Sequence, residues 1–95
     1  MAVLSYQSTA HLEEPSPLHV FAIRAIADPQ AICRIAGLFA QRNIVPHQIC
    51  SRRSGAMLLI DIEVELESMS VARILLNKLR SMVLVERASL VGEGA

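Results

Sequence analysis

The stretch Ala56–Leu66, AMLLIDIEVEL, has the clearest secondary-structure signal in this sequence of 95 residues. Apolar and acidic side chains alternate along it, and this period of two predicts a β-strand with one buried and one solvated face. The apolar members are Ile60, Ile62, Val64 and Leu66, and the acidic members are Asp61, Glu63 and Glu65. Alternate side chains of one strand point in parallel, so the acidic row predicts a solvated face rather than a metal cage. Its candidate partners are Arg24, Arg52 and Arg53.

The residues before this strand predict a hairpin partner at the edge of a sheet. Ser54-Gly55 supplies a tight turn, and the preceding stretch Ile44–Arg53, IVPHQICSRR, is strand-like. It contains Pro46, which cannot donate a ladder hydrogen bond and therefore indicates an edge strand. Further upstream, Leu18–Ile26, LHVFAIRAI, is apolar and β-branched and predicts a buried strand.

The stretch Ala27–Pro46, ADPQAICRIAGLFAQRNIVP, predicts a helix between the first two strands. Asp28 stands at an N-cap position and Pro29 at the first helical position, where its missing N–H costs nothing. Asn43 can adopt the left-handed conformation that ends a helix. The buried stripe predicted for this helix is Ile32, Ile35, Ala36 and Phe39.

A second helix and a last strand follow the acidic strand. Ser68 or Ser70 can cap the helix, and Leu84–Val91 predicts the strand. The buried stripe predicted for the helix is Ala72, Leu75, Leu76, Leu79 and Val83. With right-handed crossovers, the order βαββαβ predicts an α+β ferredoxin-like sandwich, in which two helices cover one face of a four-stranded antiparallel sheet. The second strand and the last strand form its edges. We expect an irregular N-terminal arm over residues 1–17, the domain over 18–91 and a frayed tail over 92–95.

The composition excludes several classes of function. Nine basic and nine acidic residues balance, so no net field attracts the chain to nucleic acid or to an anionic membrane. Apolar residues make up 53% of the chain, more than one small core can absorb, so we expect an oligomer. The two cysteines form no CxxC motif, and no signal-peptide pattern or membrane-spanning run is present, so we expect a cytoplasmic protein.

No side chain is predicted to be catalytic or to bind a metal. His19 and His47 have no serine, cysteine or carboxylate close in sequence with which to form an acid–base pair, and we interpret both as structural. Cys33 is predicted to be a small buried residue of the first helix. Cys50 lies near the predicted sheet edge, without a sign of reactivity.

The strand order, together with DPQAICRIAGLFAQRNI (residues 28–44), resembles the ACT domain, a regulatory module of amino-acid biosynthetic enzymes. LIDIEVELESMSVARILLNKLRSMVLVERASL (residues 59–90) is similar to the small subunit of acetolactate synthase (acetohydroxyacid synthase), in its short single-domain form. The likeness covers about Leu18–Val91. It implies a non-catalytic chain without cofactors of its own, which binds and activates a catalytic subunit that carries thiamine diphosphate, FAD and magnesium in branched-chain amino-acid synthesis.

The same resemblance implies a homodimer and a place for a small amino acid. ACT dimers commonly join through the second strand, and the dimer edge here would be formed by Ile44, Pro46, His47 and Ile49. The ligand would lie at that junction, and its candidate contacts are Asp28, Pro29, Gln30, Ala31, Ile32, Asn43, Ile44 and Val45. However, three residues depart from the ligand-responsive pattern: Gln30 replaces a glycine, Ala27 an Asp or Asn, and Val45 an Asn. These departures match the short form, in which valine feedback is weak or absent.

Several alternatives stay open from the sequence. Asp28 is either a ligand contact or only a helix cap. The chain is either a subunit that activates acetolactate synthase or a free-standing amino-acid sensor. Arg52 and Arg53 either meet an acidic patch of a partner or are surface charges beside a turn. An RNA-binding domain of this fold would need aromatic residues on its central strands, and a metallochaperone would need a CxxC motif, so both are disfavoured.

Overall fold

The computed structural model describes residues 17–92 and confirms the predicted ferredoxin-like βαββαβ fold. The elements are β1 (Leu18–Ile26), α1 (Ala31–Gln41), β2 (Gln48–Ser54), β3 (Met57–Glu65), α2 (Met69–Arg80) and β4 (Val85–Leu90). The four strands form one antiparallel sheet in the order β2-β3-β1-β4, so β2 and β4 are its edges, as predicted. Apart from Pro17 and Gly92, the predicted arm and tail lie outside the described residues.

The core lies between the two helices and one face of the sheet, and within residues 17–92 it is aliphatic around one aromatic pair. Phe21 of β1 and Phe39 of α1 are fully buried, and their rings meet edge to face with centroids 5.6 Å apart. The alternation of β3 is confirmed, because Ile60, Ile62 and Val64 are buried. α2 begins at Ser68, whose hydroxyl accepts a hydrogen bond from Val71 N at 3.3 Å. Its buried residues are Ala72, Leu75, Leu76 and Leu79, as predicted.

Three residues predicted to be buried are not. Ile32 is 40% exposed and Cys33 is exposed, because the buried line of α1 runs through Ala31, Ile35 and Phe39, four residues apart. Val83 is 92% exposed, because α2 ends at Arg80 and Val83 lies in the turn before β4, where the helical period no longer applies. Ala36 of the predicted stripe is half-buried.

The predicted edge strand starts four residues too early. The structure begins β2 at Gln48, so Ile44, Pro46 and His47 lie before the strand. Asn43 ends α1 with φ 60°, as predicted, and the chain then bends back, with Ile44 N bonded to Phe39 O at 3.0 Å. This bend and the missing N–H of Pro46 delay the ladder with β3.

β2 and β3 form a two-residue hairpin. Ser54 pairs with Met57 across a loop of Gly55 and Ala56, and Gly55 has φ 61°. A positive φ at the first loop residue alone is the signature of a type II′ turn, which suits the right-handed twist of the strands.

Candidate functional site

The corner between β1 and α1, where an amino-acid ligand would bind by resemblance, forms hydrogen bonds within itself. Asp28 Oδ1 accepts a hydrogen bond from Gln30 N at 2.8 Å, and the Asp28 carbonyl accepts one from Ala31 N at 3.0 Å. Pro29 has no N–H. Asp28 was predicted as the N-cap, but the N-cap residue is Gln30, because one tight turn from Asp28 to Ala31 precedes the regular helix. The Asp28 carboxylate nevertheless satisfies a donor at the start of the helix, as a cap would.

The side chain of Gln30 is also engaged. Its Oε1 accepts a hydrogen bond from Arg34 Nε at 2.8 Å, one helical turn further on. The glycine of the ligand-responsive pattern would leave space here and a free backbone N–H for a carboxylate. In this chain a side chain fills that position, and the N–H of Gln30 already has a carboxylate partner from Asp28.

A second feature lies at the opposite end of α1, where an apolar groove of about 340 Å³ opens beside β2. It is lined by Ala36, Ala40, Asn43, Ile44, Val45, Pro46 and Ile49. Val45 is 85% exposed and Ile49 is 40% exposed, whereas Ile44 packs against the core. Ala36 and Ala40 were not predicted as site residues. Their spacing of four, which makes them neighbours on one face of α1, was the available signal.

The structure does not bring the eight candidate ligand residues together within one chain. Asp28–Ile32 lie at the N-terminal end of α1 and Asn43–Val45 follow its C-terminal end. An α-helix of 11 residues is about 16 Å long, so these two groups are separated by more than the length of an amino acid. A site that used both groups would need a second chain.

The charged side chains of the sheet form separate pairs. Arg24 binds Glu86 of β4 at 2.7 Å rather than the acidic row of β3, and His47 Nε2 lies 3.4 Å from Glu65 Oε1. Cys50 is exposed, and its Sγ accepts a hydrogen bond from Gln48 Nε2 at 3.0 Å. Within residues 17–92 no cluster of three His, Cys, Asp or Glu side chains could hold a metal ion. In the same range no helix is long and apolar enough to cross a bilayer.

The family is shown by a match over most of the chain. Residues 13–92 match the ACT-like domain family, and these residues include every strand and helix described above. The chain belongs to the ACT-like domain family. Domains of this family are typically regulatory, amino-acid-binding modules without catalytic function, so the chain is a domain of a regulatory class. No curated protein matches the chain in sequence.

Solved structures show the same fold at low sequence identity. The ACT domain of a GTP pyrophosphokinase from Chlorobium tepidum has a TM-score of 0.71 at 13% identity, over 80% of this chain and 86% of that one. The C-terminal domain of the MgtC protein from Mycobacterium tuberculosis has a TM-score of 0.62 at 16% identity, over 82% and 90%. The ligand-free regulatory subunit of aspartate kinase from Thermus thermophilus has a TM-score of 0.61 at 18% identity, over 81% of this chain and 51% of that one.

Proposed function

We propose that this chain is a non-catalytic small subunit of acetolactate synthase, which binds the catalytic subunit and raises its activity with weak or no feedback by valine. The similarity of residues 59–90 to such small subunits supports this assignment. In the structure these residues form β3, α2 and β4 in one continuous run. The catalytic subunit would supply the thiamine diphosphate, FAD and magnesium of the reaction.

The valine-insensitive part of the proposal rests on the corner between β1 and α1, where Asp28 already accepts the backbone hydrogen bonds at the start of the helix. An incoming amino acid presents a carboxylate to the start of α1, where the helix dipole favours negative charge. Here Asp28 already provides that carboxylate and binds Gln30 N at 2.8 Å. A ligand carboxylate would meet a like charge and would find this donor occupied, so control through a protein partner is favoured over control through an amino acid.

The proposed assembly is a homodimer through β2. Its predicted edge residues have different roles in the structure: Ile49 is in the strand and partly exposed, whereas Ile44 packs against the core. Pro46 lines the groove and His47 precedes the strand, with its imidazole near Glu65. Of these residues, Ile49 offers the cleanest test, since charging it leaves the core of the monomer intact.

The deciding experiment mixes the full chain with the acetolactate synthase catalytic subunit of the same source and measures acetolactate formation. We expect a higher rate at saturating chain, with little change when valine is added. The same chain, heat-unfolded before mixing, is the control. If the folded chain changes neither the rate nor the thermal stability of the catalytic subunit, the assignment to acetolactate synthase is wrong.

A second candidate is a free-standing amino-acid sensor, and the apolar groove beside Asn43 favours it. Aliphatic side chains of valine, leucine or isoleucine match the lining of the groove, where Asn43 is the polar member. Isothermal titration calorimetry of the isolated chain with each amino acid separates the two candidates. Binding at micromolar concentrations would favour the sensor, whereas no heat at millimolar concentrations would favour the activating subunit.

A further inference from the structure

The outer edge of β2 presents a regular row of unpaired backbone groups. In a two-residue hairpin the residues that flank the turn, here Ser54 and Met57, exchange hydrogen bonds, and such pairs recur at every second position. Gln48, Cys50, Arg52 and Ser54 therefore bond to β3. The N–H and C=O groups of the residues between them, Ile49, Ser51 and Arg53, point away from β3 and toward the free edge.

β2 is better suited than β4 to accept another strand. β2 keeps one unbroken register with β3 over all seven residues. β4 has six residues and an irregularity in its pairing opposite Arg24 and Ala25, and bulges of this kind discourage edge-to-edge pairing. The groove of Ala36, Ala40 and Ile49 lies beside β2, so a second chain placed there would cover apolar surface as well as backbone.

We propose that a second copy of the chain pairs antiparallel with β2 in one specific register, with the two-fold axis at Ser51. This inference rests on the β2 dimer of the proposed function and specifies it. Ser51 faces Ser51 of the second copy, Ile49 faces Arg53, and Cys50 faces Arg52. Such a contact is isologous and closes after two chains.

Hydrogen bonding favours this register over its neighbours. The residues whose backbone groups point outward, Ile49, Ser51 and Arg53, must face one another to form hydrogen bonds. The two-fold axis can therefore lie at one residue of β2 or at the next, but not between two residues. With the axis at Ser51, Ile49, Ser51 and Arg53 all find partners, and each such pair exchanges two hydrogen bonds. With the axis at Cys50, Arg53 would face His47, and with the axis at Arg52, Ile49 would face Gly55. Both partners lie outside β2, so one of the three pairs is lost.

Charge excludes the registers on one side. An axis at Arg52 or Arg53 would place each arginine directly opposite its own copy, and like charges directly opposite across strands are destabilising. With the axis at Ser51 the same arginines face an uncharged cysteine and an isoleucine. Arg53 is also held toward its own turn, where its Nε donates to the Gly55 carbonyl at 3.0 Å.

The register also places the segment before β2 of one copy near the corner of the other. With the axis at Ser51, Gln48 of one copy faces Ser54 of the other, so the segment before β2 continues alongside the hairpin turn of the second copy. That turn is bonded to the corner, because Ala27 N donates to Ala56 O at 2.9 Å. The segment before β2 of one copy and the hairpin turn of the other therefore lie at the same junction, which contains residues from both chains.

Disulfide trapping of single-cysteine variants tests the register. All chains carry Cys33→Ser. We compare a chain with Cys50→Ser and Ser51→Cys, whose only cysteine is at position 51, with a chain that retains Cys50 as its only cysteine. In this register Ser51 faces its copy in a hydrogen-bonded pair with Cα atoms about 5.5 Å apart, and residues 50 and 52 face each other in a non-hydrogen-bonded pair about 4.5 Å apart, so a disulfide can bridge either. Diagonal residues are about 7–8 Å apart, beyond its reach. Under diamide oxidation, which removes two electrons and two protons from two thiols, we expect Ser51→Cys to form dimers about tenfold faster or more than Cys50.

A third variant gives a positive control for the open face of the sheet. Cys33→Ser with Arg52→Cys, which retains Cys50, should cross-link as fast as Ser51→Cys, since residues 50 and 52 face each other in this register. The loss of all cross-linking in 6 M guanidinium would show that trapping needs the folded dimer. Sedimentation of the reduced chain establishes whether a dimer exists.

The outcomes separate the register from the dimer. A reduced chain that stays monomeric at all concentrations overturns both. If the chain whose only cysteine is Cys50 forms disulfide dimers faster than the Ser51→Cys chain, the axis lies at Cys50. This result overturns the register but not the β2 dimer. A dimer in which none of the three variants cross-links overturns the register, because the axis then lies outside residues 50–52. A dimer with fast trapping at Ser51→Cys and slow trapping at Cys50 supports the inference.

Discussion

Replacement of Asp28 tests most directly whether its carboxylate stabilises the start of α1 by accepting the hydrogen bond of Gln30 N. Asp28→Ala removes the oxygen that accepts from Gln30 N, a loss comparable to that of an N-cap, about 1 kcal/mol. It also removes a negative charge near the N-terminus of α1, which contributes roughly 0.5 kcal/mol more at this half-buried position. We therefore expect the free energy of unfolding to fall by about 1.5 kcal/mol and the melting temperature by about 6–12 °C.

Asp28→Asn separates the two contributions. The amide keeps an acceptor oxygen in the same place and loses only the charge, so we expect a decrease of about 0.5 kcal/mol. Urea unfolding followed by circular dichroism, at one fixed protomer concentration, measures both variants. Asp61→Ala is the matched control, since it removes an exposed aspartate from β3 and should change stability by less than about 0.5 kcal/mol. If Asp28→Ala is as stable as the parent, or if Asn is as harmful as Ala, the hydrogen bond at the corner does not stabilise the helix.

Three further perturbations test the edge, the core and the turn. Ile49→Glu should raise the dimer dissociation constant about tenfold or more, because it buries a charge at the β2 edge of the dimer. Val83→Glu, at a 92% exposed site, is the control and should leave that constant unchanged. Equal effects of both variants in sedimentation would place the interface elsewhere. Phe39→Ala should lower the free energy of unfolding by about 4 kcal/mol, because it empties a fully buried site and breaks an aromatic pair; a loss under about 2 kcal/mol by urea unfolding would contradict that packing. Gly55→Ala should destabilise by about 1 kcal/mol because φ is 61°, whereas Gly37→Ala, inside a helix with open space around it, should stabilise by about 0.5–1 kcal/mol; the same sign for both in thermal unfolding would refute the turn assignment.

Much of the fold follows from local periodicity and could be predicted. The alternation in Ala56–Leu66 identified β3 and its buried face, because a strand that faces water on one side must repeat every two residues. Ser68 marked the start of α2, and Asn43 marked the end of α1, because capping and left-handed geometry depend on a few neighbouring residues. The order of elements then limited the topology to very few arrangements.

The errors lie where a long-range contact competes with a local preference. Ile32 fits the helical period as well as Ile35 does, and only the direction in which α1 lies across the sheet decides that Ile32 is exposed. Pro46 was expected within β2, but the chain bends at Asn43, and its backbone bonds to β3 only from His47, whose N–H donates to Glu63 O at 2.7 Å. Burial and strand ends depend on neighbours distant in sequence, which no local pattern contains.

By itself the sequence determined the class of fold, the edge position of the second strand and the departures of Ala27, Gln30 and Val45 from the ligand-responsive pattern. The tertiary structure decided what those departures mean. In the folded chain Gln30 N already donates a hydrogen bond to Asp28. Val45 lies at the far end of α1 and lines the apolar groove at the free edge of β2. Only the folded chain shows that the donor of Gln30 is already bonded and that a helix separates Asp28–Ile32 from Asn43–Val45. For these two reasons the edge of β2, rather than the corner, is the site to test for function.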